Sequence, residues 1–194
     1  MNKPNLELKA EANNYPSLQL SNRHLCDLEL VMNGGFDPLT GFMSRGDYDS
    51  VVSDMRLSNG SLWPVPITLD VNDKFVSEIS TNPKIALRDK EGFILAILKV
   101  EDIWKPNLLF EAKSVFGTSD IKHPGVNYLL NISNKNYIGG KIEKISTPYH
   151  HDYGDIRHTP GELKSIFKKN KWSKVIAFQT RNPLHKAHFE LTRK

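Results

Sequence analysis

Between residues 33 and 140 the chain is interrupted at short intervals by residues that turn a backbone, and this spacing limits its possible folds more than any other feature. Asn33-Gly34-Gly35, Asp37-Pro38, Asn59-Gly60, Asn82-Pro83, Lys90-Glu91-Gly92 and Gly139-Gly140 carry turn or hairpin chemistry. Glycine and asparagine accept positive φ, and proline fixes its own. The runs between them are short and β-rich. Residues 65–71 read as a strand in which Pro66 favours an edge, and residues 93–100 are a continuous apolar run suited to a buried strand. Asn59-Gly60 and Lys90-Glu91-Gly92 place their flanking runs in hairpins, and residues 47–55 and 109–115 have short helical character. Residues 18 to about 149 therefore predict a compact, mainly β, barrel-like domain with small helices.

Composition removes several classes. Hydrophobic residues at 39% and charged residues at 25% match a globular chain, and no apolar run approaches the roughly 20 residues of a membrane-spanning helix. The first fifteen residues lack the basic start and apolar core of a secretory signal. One cysteine, Cys26, can form neither an internal disulfide nor a thiolate cluster, so a cytoplasmic location is expected and disulfide scaffolds and zinc fingers drop out. Cys26 itself reads as a small hydrophobe in or beside a strand. Residues 1–162 hold 17 Lys and Arg against 21 Asp and Glu, a balance of −4, whereas residues 163–194 hold 9 against 1, a balance of +8. Such a block suits an anionic ligand, a nucleic acid, or simply a solvated helix face carrying Lys164, Lys168, Lys169, Lys171 and Lys174.

After Tyr149 the texture changes. Thr159-Pro160-Gly161-Glu162 predicts a helix start, with Thr159 as N-cap, Pro160 in the first helical position and Glu162 closing a capping box. The helix should end near Asn170. Residues 174–178 are apolar and β-branched, a strand by pattern, and Asn182-Pro183 opens a second helix. Helix, strand, helix is the opening of an α/β nucleotide-binding unit, whose ligands sit beyond the strand C-terminal ends. The expected domains are residues 1–160 and 161–194.

The polar residues cluster where strand hands over to helix. Gln179, Thr180, Arg181, Asn182, His185 and His188 fall within ten positions. Arg181 offers a planar fork of donors to a tetrahedral oxyanion, and two histidines three apart share a helix face. Taken singly, Asn182 is an ordinary N-cap and Thr180 an ordinary turn residue. Zinc helices space their histidines four apart with a glutamate beside the first, and position 186 is Lys, so a metal is the weaker reading and no protein-ligated metal is expected. His150 and His151 read as a hydrated pair at a linker.

Gln179-Thr180-Arg181-Asn182-Pro183-x-His185-x-Ala187-His188 resembles the signature of the ATP sulfurylase (sulfate adenylyltransferase) family. Residues 33–43, 62–70, 115–118 and 123–126 are similar to that family's N-terminal domain, so the resemblance covers about residues 20–194. It implies a PUA-like β-barrel followed by the first helix-strand-helix of an α/β nucleotidyltransferase domain. It implies a reaction of ATP with sulfate to give adenosine 5′-phosphosulfate and pyrophosphate, with Mg2+ on the nucleotide. By the same resemblance Thr180, Arg181 and Asn182 are catalytic, Gln179 and Arg181 bind sulfate, and Gln179, Thr180, Arg181, Asn182, His185 and His188 bind ATP.

The family's catalytic domain continues well past this motif, through a Gly-Arg-Asp-His-Ala loop, and only fifteen residues follow Gln179. One strand and one helix cannot cover both faces of a parallel sheet, so the chain is expected to be an N-terminal fragment, inactive alone. ATP and sulfate are the expected partners, with no nucleic acid or membrane and with a homo-oligomer in the full-length protein. The alternatives are an RNA-binding PUA-like module, against which the acidic balance of residues 1–162 argues, and a nucleotidyltransferase with another acceptor anion.

Overall fold

The computed structural model describes residues 3–79 and 83–193. Asn82 of the expected Asn82-Pro83 turn lies outside them. Two compact units divide the chain, Met1–Arg157 and His158–Lys194.

The first unit is built on a six-stranded mixed sheet: β1 (Ser17–Gln19), β2 (Gly41–Phe42), β3 (Leu69–Val71), β4 (Lys84–Arg88), β5 (Ile94–Trp104) and β6 (Asn136–Lys144). The order is β1-β4-β5-β6-β2, with β3 also on β6. Among the described residues only β1 and β4 run parallel. The turn at Lys90-Glu91-Gly92 joins β4 to β5 as expected, with Gly92 at φ +90° and the Asp89 carboxylate accepting from the Phe93 N–H at 2.7 Å. Every residue of β5 from Ile94 to Leu98 is buried because the strand is covered on both faces. Leu95 and Leu98 join the main core with Leu69 and Ile138, while Ile94 and Ile97 pack with Ala12, Ala86 and Ile145. Ala12 ends helix α1 (Lys3–Ala12), which is why that second face is not alternating and polar.

Gly139 and Gly140 do not form the turn their sequence predicts. Both lie inside β6, where three strands come unusually close. A Cβ on Gly140 would stand 1.9 Å from the Lys99 carbonyl oxygen, and one on Gly41 would stand 1.9 Å from the Gly140 carbonyl oxygen. A side chain fits at neither position. Gly140 also has φ +155°, and the β5–β6 register shifts beside it, between Val100 and Asp102. The strand expected over residues 65–71 is shorter, β3 alone, because Pro66 has no N–H to give a ladder.

Helix is more abundant than the β-rich reading suggests. Helix α2 (Asn22–Asn33) is capped by Ser21, which accepts from the His24 N–H, and ends at Gly34 with φ +81°. Cys26 lies on its exposed face rather than in or beside a strand. Helices α3 (Arg45–Asp54) and α5 (Leu108–Phe116) occupy the two stretches of helical character, with α4 (Asp73–Ile79) between them in the chain. Helix α6 (Pro124–Asn127) runs into a π-helical turn, Tyr128–Ile132.

In the second unit helix α7 (Pro160–Lys169) starts as its sequence predicts. The Thr159 hydroxyl accepts from the Glu162 N–H at 3.3 Å, and the Glu162 carboxylate accepts from the Thr159 N–H at 2.7 Å. Residues 174–178 form no strand: a ladder needs a neighbour to supply its hydrogen bonds, and none pairs with them among the described residues. Ile176 stands 95% exposed there. Helix α8 (Lys186–Thr192) begins three residues after Pro183. Among the described residues no helix is long and apolar enough to cross a membrane.

Candidate functional site

The residues from Gln179 to His188 occupy an irregular segment that ends in α8. The Thr180 hydroxyl accepts from the Asn182 N–H at 3.2 Å and donates to the Asn182 carbonyl oxygen at 3.0 Å, which ties the segment into a tight turn. Arg181 sits at the apex, exposed, and among the described residues no hydrogen bond or ion pair engages its guanidinium. Gln179 is likewise exposed and unengaged. A free guanidinium keeps all five donors for an incoming anion.

His185 is the N-cap residue of α8, with φ −112° and ψ 173°, and its side chain makes no cap bond. Its ring stacks on that of His188, with centroids 3.8 Å apart and planes 31° from parallel. The Phe178 ring lies 5.6 Å from that of His188, tilted by 53°. His188 Nδ1 is shielded from water and has no hydrogen-bond partner. An imidazole nitrogen in that condition lacks what buried polar atoms almost always have, which is consistent with a group held ready for a ligand. The second unit thus brings His185, His188 and Phe178 together, and Thr180 with Asn182, while Gln179 and Arg181 are left facing solvent. Carboxylates are absent from residues 179–188, and among the described residues no three metal-binding side chains gather anywhere. The donors present suit an anion; they do not suit a hard cation, which takes oxygen ligands.

A second polar assembly, invisible in the sequence pattern, lies buried in the first unit. Asp70 on β3 is 5% exposed. Its Oδ1 accepts from Arg23 Nη2 at 2.8 Å and lies 2.8 Å from His24 Nε2. Its Oδ2 accepts from the Asn134 backbone N–H at 2.8 Å and side-chain amide at 3.0 Å. Burial by itself would raise the affinity of Asp70 for a proton; the His24 bond, the Asn134 N–H and the charge of Arg23 outweigh it and hold the carboxyl well below the usual carboxylate range. Nearby, Glu111 on α5 accepts from the Tyr48 hydroxyl at 2.8 Å and the Tyr137 hydroxyl at 3.0 Å, both on Oε2. Here burial wins over the two hydroxyl bonds and pushes the Glu111 carboxyl upward. Burial and the Glu111 charge also push both tyrosines up, so both stay protonated donors. Tyr137 packs edge to face on both Tyr48 and Trp104, which are tilted 51° to each other, around this group.

Residues 2–147 match the family described as PUA-like domain. The chain belongs to the PUA-like domain family. Beyond the PUA-like region, residues 154–194 match the family described as ATP-sulfurylase. Over 189 residues the chain is 51% identical to a sulfate adenylyltransferase of Gibberella zeae, covering 96% of this chain and 33% of that protein. It is 48% identical to the sulfate adenylyltransferase of Saccharomyces cerevisiae, covering 37% of it. A solved structure titled hexameric APS kinase from Thiobacillus denitrificans superposes with a TM-score of 0.75 at 34% identity, covering 100% of this chain and 34% of that one. The chain with its PUA-like region thus spans about a third of the length of the curated relatives it matches.

Proposed function

We propose that this chain is the N-terminal part of a sulfate adenylyltransferase, with residues 1–160 as its PUA-like domain and residues 161–194 as the beginning of its catalytic domain. The reaction is attack of a sulfate oxygen on the α-phosphorus of ATP, in line with the departing pyrophosphate, to give adenosine 5′-phosphosulfate. The observation that carries this reading is the unengaged Arg181 guanidinium in the same short segment as the stacked pair His185 and His188, within a stretch that matches the ATP-sulfurylase family.

The chemistry sets what such a site must do. Sulfate carries no proton to remove near neutral pH, so a general base would contribute little. The difficulty is holding two anions together, which calls for positioning and charge neutralisation. Arg181 and Gln179 are assigned to sulfate, and Thr180 and Asn182 to the reacting phosphate. His185 and His188 take the negative charge that builds on the phosphates, so all six residues contact ATP or sulfate. Thr180, Arg181 and Asn182 are the catalytic set. Magnesium would arrive on the nucleotide, since this segment has no carboxylate to hold it. A cytoplasmic location and a homo-oligomeric full-length protein complete the proposal; the hexameric relative supports the second.

The test is sulfate-dependent pyrophosphate release from ATP, measured on a polypeptide that contains these residues and extends to the length of the relatives. Release that requires sulfate is expected. Release without sulfate, or none with it, would overturn the assignment.

A further inference from the structure

In the PUA-like unit a cavity of ≈ 240 Å³ is lined by residues of α2, α5, β6 and the π-helical turn. Its walls are largely apolar, from Val65, Pro66, Val115, Phe116 and Leu129. The volume is below the roughly 300 Å³ at which pockets for drug-sized ligands begin, so an occupant would be small. Arg23, which also lines it, is already committed: Nε donates to the Tyr128 hydroxyl, Nη1 to Asp27, and Nη2 to both Asp70 and the Thr68 carbonyl oxygen. Asp70 has all four of its partners, described above.

Two lining groups are not committed. Thr68 is 5% exposed, and its hydroxyl makes no hydrogen bond among the described residues. Glu111 is also 5% exposed; both tyrosine hydroxyls bind its Oε2, and among the described residues no hydrogen bond engages Oε1. A buried carboxylate with one idle oxygen is costly, and burial accordingly raises its proton affinity. The Arg23 charge relieves it only in part, because Asp27 and Asp70 share that charge, and burial still prevails. With Glu111 ionised, the lining carries two carboxylates, Asp70 and Glu111, against the one guanidinium of Arg23, so the cavity disfavours anions and a neutral guest would leave the imbalance in place.

We propose that this cavity binds a small organic ammonium ion with a compact apolar body. Glu111 Oε1 is its counter-ion, and the Thr68 hydroxyl is a further acceptor. The ring of Phe116 gives the cation a π-face, the Tyr128 ring being taken by the Arg23 guanidinium 5.6 Å from its centroid, while Val65, Val115 and Leu129 cover the hydrocarbon. The site lies wholly within the PUA-like unit and stands whether or not the chain serves adenylyl transfer.

Titration of the 194-residue chain with benzylamine, followed by amide NMR, tests this against benzyl alcohol as the neutral isostere. The amine is expected to shift the resonances of Thr68, Val115, Phe116 and Leu129, and to bind about tenfold more tightly than the alcohol. Glu111→Gln keeps an oxygen for the two tyrosines and removes the charge, so it should erase that preference. If this variant does not fold, Thr68→Val, which alters little volume, should weaken amine binding severalfold. Equal binding of amine and alcohol by the unsubstituted chain would overturn the proposal, as would shifts that fall elsewhere or none at millimolar ligand. An amine preference that survives whichever substitution folds would do the same.

Discussion

Asparagine at position 70 preserves the shape of the side chain and removes the charge on which Arg23, His24 and Asn134 converge. In the native unit each Asp70 oxygen takes two partners, Oδ1 from Arg23 and His24 and Oδ2 from Asn134. An amide has one accepting oxygen, so in either orientation its NH2 group faces donors. The variant loses about two hydrogen bonds, one of them charge-assisted, and leaves Arg23 with Asp27 as its one remaining counter-ion. Together these cost about 3 kcal/mol at neutral pH. For a unit of this size that corresponds to a fall in Tm of roughly 6–12 °C. The sign of the pH dependence follows from the depressed carboxyl. A group whose folded pKa lies below its unfolded value of roughly 3.9 contributes stability above that pH and loses it as pH falls towards the folded value. The gap between Asp70→Asn and the unsubstituted chain should be full at pH 7 and should narrow below about pH 4. Urea unfolding followed by circular dichroism at both pH values measures it. A deficit under about 1 kcal/mol at pH 7, or one undiminished at pH 3, would refute the reasoning.

Other substitutions probe separate parts of the account. Gly140→Ala places a methyl group where only 1.9 Å separates it from the Lys99 carbonyl oxygen, so it should destabilise the sheet by more than about 3 kcal/mol; denaturant midpoints check this. Thr159→Ala removes the capping box of α7 and should cost that helix about 1 kcal/mol, read as faster hydrogen exchange at the Glu162 amide. Glu111→Gln should flatten the pH profile of stability. The raised carboxyl binds its proton more tightly when folded, so the native chain loses stability as pH rises above roughly 4.3 towards the folded value, and the amide cannot. Urea midpoints at pH 4 and pH 7 compare the two slopes.

The features legible in the sequence are those decided by near neighbours. The capping box of α7 depends on two residues three apart, and the turn before β5 on a glycine with positive φ, so both are found where their patterns place them. The buried run of β5 is readable because covering both faces erases the alternation of polar and apolar residues. Gly139-Gly140 is misleading: glycine signals a turn and a close approach of strands in the same way, and only the position of Lys99 tells them apart. Helix α2 escapes notice because its buried face includes His24, held by an aspartate 46 positions away. Separations of 47 and 63 positions likewise hide the pairing of Arg23 with Asp70 and of Tyr48 with Glu111. The strand pattern of residues 174–178 is intact but finds no partner. Within the candidate site, the spacing of His185 and His188 places both on one helix face, whereas His185 stands just outside α8 as its N-cap, so their stacking, like the idle Nδ1 of His188, is a matter of local packing.

Arg181→Ala in the longer polypeptide tests the central claim most directly. Loss of one preorganised donor costs on the order of 3 kcal/mol in such a site, so sulfate-dependent pyrophosphate release should fall at least about a hundredfold. The unfolding midpoint should stay where it was, since Arg181 is exposed and engages no group among the described residues. Undiminished turnover by a folded Arg181→Ala enzyme would contradict the account.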